Sequence, residues 1–187
     1  MPNREDALNL LKKYNGEALV THGLAVEGTM RYFAKKNNED EDTWGITGLL
    51  HDLDYEKFPN EHCIKTQEIM NEQNYDQKII RAIMSHGYGI CTDVEPLSHM
   101  EKTLYAVDEL TGLVTACALV RPSGSVMDLE LKSVKKKFKQ KSFAAGASRE
   151  VILNGAKMLN IELEVLITEV ILAMREIAPS LGLEMKK

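Results

Sequence analysis

Apolar residues recur along most of the chain at the three- and four-residue spacing of an amphipathic helix. The clearest stripes run over residues 19–33, 79–83, 131–138 and 163–174. Such spacing places the apolar side chains on one face of a helix, which packs against a core. Apart from a short stretch at 116–120 that could be extended, no alternating strand pattern competes with it. The pattern therefore predicts an all-α protein.

Polar residues, glycines and prolines interrupt these stripes and mark the predicted ends of the helices. Such residues tolerate or enforce backbone conformations that a helix excludes. The breaks fall at Asn15-Gly16, Asn37-Asn38, Pro59-Asn60, Asn74, Gly87 with Gly89, Pro96, 121–125 and Asn160. With no internal repeat or long linker, the pattern predicts a single helical domain over residues 1–187, built from roughly eight to ten helices.

Composition and charge indicate which partners and which cellular compartment to expect for this domain. A formal charge of −5 over 187 residues argues against general nucleic-acid binding and against binding to anionic membranes, because both favour a basic surface. Three cysteines without a CxxC pair predict neither a disulfide framework nor a thiolate zinc site. Residues 1–11 lack the apolar core of a signal peptide, and no segment approaches about 18 uncharged apolar residues. We therefore expect a cytoplasmic protein that does not enter membranes.

Histidines and aspartates at the edges of the apolar runs are the candidate functional residues. His22 lies inside the first stripe, and His86 follows the second stripe at helical spacing, so both imidazoles point toward the core. An imidazole in a core needs a partner. The pair His51-Asp52 ends the apolar run 46–50, and Asp108 lies on the border of a later buried face.

These groups form the mixed nitrogen and oxygen ligand set of a catalytic divalent metal. Neighbouring helical residues point roughly 100° apart, so His51 and Asp52 reach one ion only where their helix ends or bends. The two carboxylate oxygens of Asp52 allow it to bridge two ions. Glu109 is the alternative to Asp108 if the helix is rotated by one residue.

His22, the pair His51-Asp52 and Asp108 resemble the H…HD…D signature of the HD-domain superfamily of metal-dependent phosphohydrolases. The apolar approach to the pair and the segment 83–87 are also similar to that superfamily, and the whole chain is most similar to its predicted HD-superfamily hydrolases. The resemblance covers about residues 17–112 and leaves about 113–187 as a C-terminal helical extension. It implies an HD-type helical bundle with the metal site between core helices.

The resemblance also implies which residues hold the metal. Binuclear members have two further histidines between the pair and the final aspartate, and His62 and His86 match them. One or two divalent ions of iron, manganese, zinc, cobalt or nickel are therefore expected. The implied ligands are His22, His51, Asp52, His62, His86 and Asp108.

Three acids are the predicted catalytic residues. Asp52 would bridge the ions, and Asp108 would complete a metal shell or orient the attacking water. Asp54, with Glu56, would hold an imidazole in the correct tautomer. The chain departs from the family pattern at two places. Leu53-Asp54 follows the ligand pair in place of the common Ile-Gly, and Tyr55 stands where many members have a lysine. Lys57 is the candidate to take the place of that lysine.

Basic residues after Asp108 are the predicted phosphate ligands. Arg121, Lys132 and Arg149 are the candidates, although the lysines of 132–141 also suit a solvated helix face. The resemblance thus implies a metal-dependent phosphohydrolase, a phosphomonoesterase or phosphodiesterase, acting on a small nucleotide or related phosphate ester. The alternative is a metal- or nucleotide-binding sensor of the same fold without turnover.

Overall fold

The computed structural model describes residues 2–185, so the outer ends of the predicted domain 1–187 lie outside the described residues. Within that range the chain forms helices and no strands, which confirms the all-α prediction. No helix there is both long and apolar enough to cross a bilayer. The ten helices are α1 (Arg4–Tyr14), α2 (Glu17–Lys36), α3 (Glu41–Leu50), α4 (Ile64–Glu72), α5 (Gln77–His86), α6 (His99–Leu119), α7 (Leu131–Phe138), α8 (Arg149–Met158), α9 (Leu163–Glu176) and α10 (Ala178–Leu181).

The helix ends follow the polar breaks of the sequence. Asn38, Asn74 and Asn160 lie just beyond α2, α4 and α8 with φ angles of 55°, 57° and 55°, a left-handed conformation that asparagine tolerates better than most residues. The extended stretch considered at 116–120 was wrong. These residues continue α6 to Leu119, because Cys117 and Ala118 face the core at helical spacing.

Two apolar clusters form the core. One joins α1, α3, α4 and α5 through side chains such as Leu11, Leu49 and Ile83. The other joins α2 and α6 to the C-terminal helices through side chains such as Met30 and Val170. The helices of the C-terminal extension, α7, α8 and α9, share this second cluster with α2 and α6.

Glycines allow the central helices to approach closely. A Cβ atom at Gly48 on α3 would lie 2.9 Å from the carbonyl oxygen of Val26 on α2. A Cβ atom at Gly155 on α8 would lie 2.4 Å from the Cα atom of Ala106 on α6. Real Cβ atoms do not approach backbone this closely, so these helix pairs depend on the missing side chains.

We expect Gly155→Ala to destabilise the protein by about 1–3 kcal/mol, although alanine is the better helix former. The added methyl group must push α8 away from α6, since the atom that it meets belongs to the backbone. Lys157→Ala, an exposed change in the same helix, is the control and should stay within about 0.5 kcal/mol. Denaturant unfolding of both variants would measure the difference, and equal midpoints would contradict the packing argument.

Candidate metal centre

All six predicted ligands meet at one place between the core helices. Asp108 in the middle of α6 lies 3.0 Å from His22 on α2, measured from Oδ1 to Nε2, although 86 residues separate them. His51 and Asp52 follow α3, His62 follows a short 3-10 turn (Pro59–Glu61), and His86 is the last residue of α5. The site is therefore assembled from four helices and one turn.

The end of α3 explains how adjacent residues serve one site. The helix ends at Leu50, His51 is its C-cap, and the chain continues through turns to Lys57. The sequence predicted such an end at this position. His51 is fully buried, whereas Asp52 remains partly accessible, so the pair connects the core to an open cleft.

One half of the site contains His22, His51 and Asp108. Oδ1 of Asp108 lies 3.0 Å from Nε2 of His22 and 3.1 Å from Nε2 of His51. Oδ2 of Asp52 faces the same group, 3.4 Å from Nε2 of His51 and 3.8 Å from Nε2 of His22. Two imidazole nitrogens and two carboxylate oxygens thus converge here.

The other half contains His62 and His86. Their Nε2 atoms lie 3.2 Å apart, and Oδ1 of Asp52 lies 3.4 Å from the first and 3.5 Å from the second. Ligands about 2.0–2.2 Å from a shared ion lie roughly 3.0–3.5 Å from one another. The two oxygens of Asp52 therefore face two different ligand groups, each with the spacing of a metal site.

Hydrogen bonds at the far side of the rings fix which nitrogen carries the proton. Nδ1 of His51 donates to the carbonyl of Gly48 at 2.7 Å, and Nδ1 of His86 donates to the carbonyl of Ile83 at 2.5 Å. A carbonyl can only accept, so the proton of a neutral ring lies on Nδ1 and the Nε2 lone pair faces the cluster. Lone pairs this close to carboxylates and to each other need a cation between them, so the donor set fits a divalent metal.

Electrostatics support the same interpretation. Burial lowers the pKa of His51, but the carboxylates of Asp52 and Asp108 outweigh it and raise that pKa well above its usual value. Burial would raise the pKa of Asp52 and of Asp108, yet the imidazole of His51 leads the interactions that hold both well below the usual range. The cluster therefore favours positive charge at its centre.

Asp54 lies behind the ligands rather than among them. Its side chain is fully buried, its Oδ1 accepts from Nδ1 of His62 at 2.7 Å, and its Oδ2 accepts from the backbone N–H of Thr66 at 2.8 Å. It orients His62 and cannot reach a substrate. Glu56, the other candidate for this task, instead accepts from the N–H of Gly16 and touches no imidazole of the cluster.

Comparison with known protein families shows to which family the chain belongs. The model of the HD domain family matches residues 19–113, which is about half of the chain and contains all six predicted ligands. The chain belongs to the HD domain family. A search of curated proteins and a search of solved structures each gave no match. HD domains are generally metal-dependent hydrolases, so the donor set and the family agree.

Residues of this candidate cluster line a cleft of about 400 Å³ in the HD domain. Tyr55 and the loop residues Ile90 and Cys91 form one wall, Glu109 and Gly112 on α6 another, and Ala144, Gly146, Ala147 and Val151 a third. Among the described residues, no lysine or arginine lines the cleft. The substitute lysine, Lys57, instead donates to the carbonyl of Lys13 at 2.7 Å.

The three predicted phosphate ligands lie outside this cleft. Arg121 pairs with Asp128 at 2.9 Å, beyond the C-terminal end of α6. Lys132 is exposed in a separate depression among the lysines of α7. The guanidinium of Arg149 donates to five backbone carbonyls between Phe138 and Ala147. As folded, none of them is placed to bind a phosphate at this cluster.

Arg149 builds the third wall of the cleft. Two of its bonds, both 2.7 Å, go to Ala144 and Ala147, and Ala144 has a φ of 45°, which is unfavourable for alanine. The sequence could not show this role, because backbone carbonyls as partners leave no residue pattern. The arginine stabilises a loop that would otherwise have unpaired carbonyls and a strained residue.

We expect Arg149→Met to destabilise the protein by about 2–3 kcal/mol, since several carbonyls lose a charged donor together. Proteolysis within 139–147 should become faster at the same time. Arg121→Met is the matched control, because Arg121 makes an exposed ion pair that contributes little to stability. Calorimetry and limited proteolysis would compare the two variants, and equal loss of stability would contradict the loop-building role.

The sequence analysis missed the roles of several residues in and beside the cleft. Sγ of Cys63 lies 3.5 Å from Sγ of Cys91, and both pack on Gly87, where a Cβ atom would meet Cys91 at 2.4 Å. Gly87 therefore serves close packing, and its φ of −84° is one that any residue adopts. Glu109, considered only as a substitute for Asp108, lines the cleft beside it. Burial and then the charge of Asp108 raise the pKa of Glu109 to about 6.

Proposed function

We propose that this HD domain is a metal-dependent phosphohydrolase that acts on a small phosphate ester, a nucleotide or related compound. One observation carries the proposal: the two oxygens of Asp52 face two separate imidazole groups, His22 with His51 and His62 with His86. A carboxylate shared in this way would bridge the two ions of a two-metal centre. The open cleft above it gives a substrate access to the bridge.

The residues of the cluster have distinct tasks in this proposal. His22, His51 and Asp108 would hold one ion, His62 and His86 the other, and Asp52 both. Ions held there would lower the pKa of a water molecule and neutralise charge that develops on the phosphoryl oxygens. Carbonyls behind His51 and His86, and Asp54 behind His62, keep each ring turned toward the cluster.

The structure favours catalysis over a sensor without turnover. The unusual Leu53-Asp54 after the ligand pair is no argument for the sensor. Leu53 is fully buried in the core, and Asp54 orients His62, so both residues support the ligand geometry. The partly accessible carboxylates of Asp52 and Asp108 also leave the cluster open toward the cleft. Catalytic metal sites keep such an open side.

Metal analysis of anaerobically purified protein, followed by a hydrolysis screen, tests the proposal. The screen would offer nucleoside mono-, di- and triphosphates, sugar phosphates and a phosphodiester, with Fe, Mn, Zn, Co or Ni restored in turn. We expect phosphate release that depends on the metal and stops with a chelator. Full metal loading without hydrolysis of any ester would favour the sensor.

A further inference from the structure

Within residues 2–185, Gly112 is the only glycine inside a helix whose missing side chain is not required by a close neighbouring protein atom. At Gly112 a Cβ atom would meet nothing within 4 Å, and the position lies in the regular middle of α6. A glycine there costs helix stability relative to alanine. At each of the other five helix glycines, a Cβ atom would come within 2.3–2.9 Å of another residue: Gly23, Gly28, Gly45, Gly48 and Gly155.

The open side of Gly112 belongs to the cleft. Gly112 lies one helical turn beyond Asp108, and both residues line the cleft. A ligand whose phosphate contacts the metal cluster at Asp108 would therefore have its remaining part beside Gly112. The missing side chain leaves this space to the ligand, because the protein itself does not fill it.

Glu109 supplies the polar group beside this space. It lies three residues before Gly112, on the same side of α6, and also lines the cleft. Its Oε2 accepts from the backbone N–H of Ser148 at 3.2 Å, and no donor among the described residues reaches its Oε1. A carboxylate oxygen accepts hydrogen bonds and repels phosphate, so its natural ligand is a hydroxyl or another donor.

The rest of the cleft excludes a long phosphate chain. No lysine or arginine among the described residues lines it, so phosphates beyond the one at the metal cluster would have no cationic partner. Its volume of about 400 Å³ lies at the small end of the range for ligand pockets. These features favour one phosphate and one compact, hydroxyl-bearing group.

We propose that Gly112 and Glu109 form the subsite for the alcohol part of the substrate, a sugar monophosphate whose ring lies over Gly112 and whose hydroxyl donates to Glu109. This inference rests on the proposed phosphohydrolase function and deepens it. Free sugar phosphates and ribonucleoside monophosphates share this chemistry, and the two are separated by experiment.

The first experiment examines the space at Gly112. Gly112→Ala should raise Tm by about 2–4 °C, since no neighbour opposes the methyl group. Gly112→Leu should keep its metal content but raise KM for ribose 5-phosphate by about ten-fold or more, because the side chain occupies the subsite. Thr115→Ala, a change in the same helix outside the cleft, should leave KM unchanged. An unchanged KM for Gly112→Leu, or a lower Tm for Gly112→Ala, would overturn the assignment.

The second experiment examines Glu109. Wild type should prefer ribose 5-phosphate or a ribonucleoside 5′-monophosphate over para-nitrophenyl phosphate, which lacks hydroxyls, by about ten-fold or more in kcat/KM. Glu109→Gln, which keeps an acceptor for Ser148, should remove most of that preference. The compound with the higher kcat/KM shows whether the substrate is a free sugar phosphate or a ribonucleoside monophosphate. The role of Glu109 would be overturned if wild type and Glu109→Gln showed the same preference. It would also be overturned if wild type preferred phosphoethanolamine, whose donor is an ammonium group, over the sugar compounds.

Binding separates this inference from the proposed function. If the metal-loaded wild type hydrolyses none of these esters, the phosphohydrolase proposal fails. Calorimetric titration with ribose 5-phosphate then decides the subsite. Binding that Gly112→Leu weakens by about ten-fold or more would support it, and equal or absent binding in both proteins would overturn it.

Discussion

Replacing Asp52 with Ala should abolish metal binding and hydrolysis while most of the helical content remains. Within residues 2–185, Asp52 is the one residue whose oxygens face both ligand groups, so its loss weakens both at once. Changes to residues that merely support a metal ligand cost 10–100-fold, and a bridging ligand should therefore cost more than about 100-fold in activity. Metal analysis, circular dichroism and phosphate release would measure the three effects.

Asp42→Ala is the matched control for this prediction. Asp42 also belongs to the α3 region and is an aspartate, but it is exposed and pairs only with Arg31 at the protein surface. It should keep metal content and activity. Wild-type metal stoichiometry and activity in the Asp52→Ala protein would show that the metal site has been placed wrongly.

The helical spacing of apolar residues was enough to predict most of the fold and much of the candidate site. His22 and His86 could be placed toward the core because they fall at helical spacing within apolar stripes, and both reach the assembled cluster. His51 and Asp52 could be placed at a helix end because an apolar run stops there. His62 could be found only through the family resemblance, since its position depends on a turn rather than on a periodic face.

The parts that could not be predicted depend on contacts without a residue pattern. Arg149 had the right charge for a phosphate, yet five carbonyls of a nearby loop take its donors. Lys132 lies on the solvated face of α7, as the periodicity of that helix allowed. Gly112 is inconspicuous in the sequence, because its significance lies in the absence of neighbours, which only the assembled helices reveal.

The second large effect is expected from His86→Ala, which tests whether the site holds one ion or two. Nε2 of His86 lies 3.2 Å from His62 and 3.5 Å from Asp52, but it makes no contact within the group of His22, His51 and Asp108 at hydrogen-bond distance. In a binuclear site, the variant should lose one of two metal equivalents and most of its activity. The ion held by the other group should partly survive.

His99→Ala provides the control for a missing imidazole, because His99 is exposed at the start of α6 and packs edge-on against Trp44. It should retain both metal equivalents and full activity. In a mononuclear site His86 would instead contact the substrate, so His86→Ala would keep its metal content and show a higher KM or a lower kcat. One equivalent in fully loaded wild-type protein would end the binuclear proposal. Two equivalents that fall to one in His86→Ala, but not in His99→Ala, would assign the second ion to the group formed by His62, His86 and Asp52.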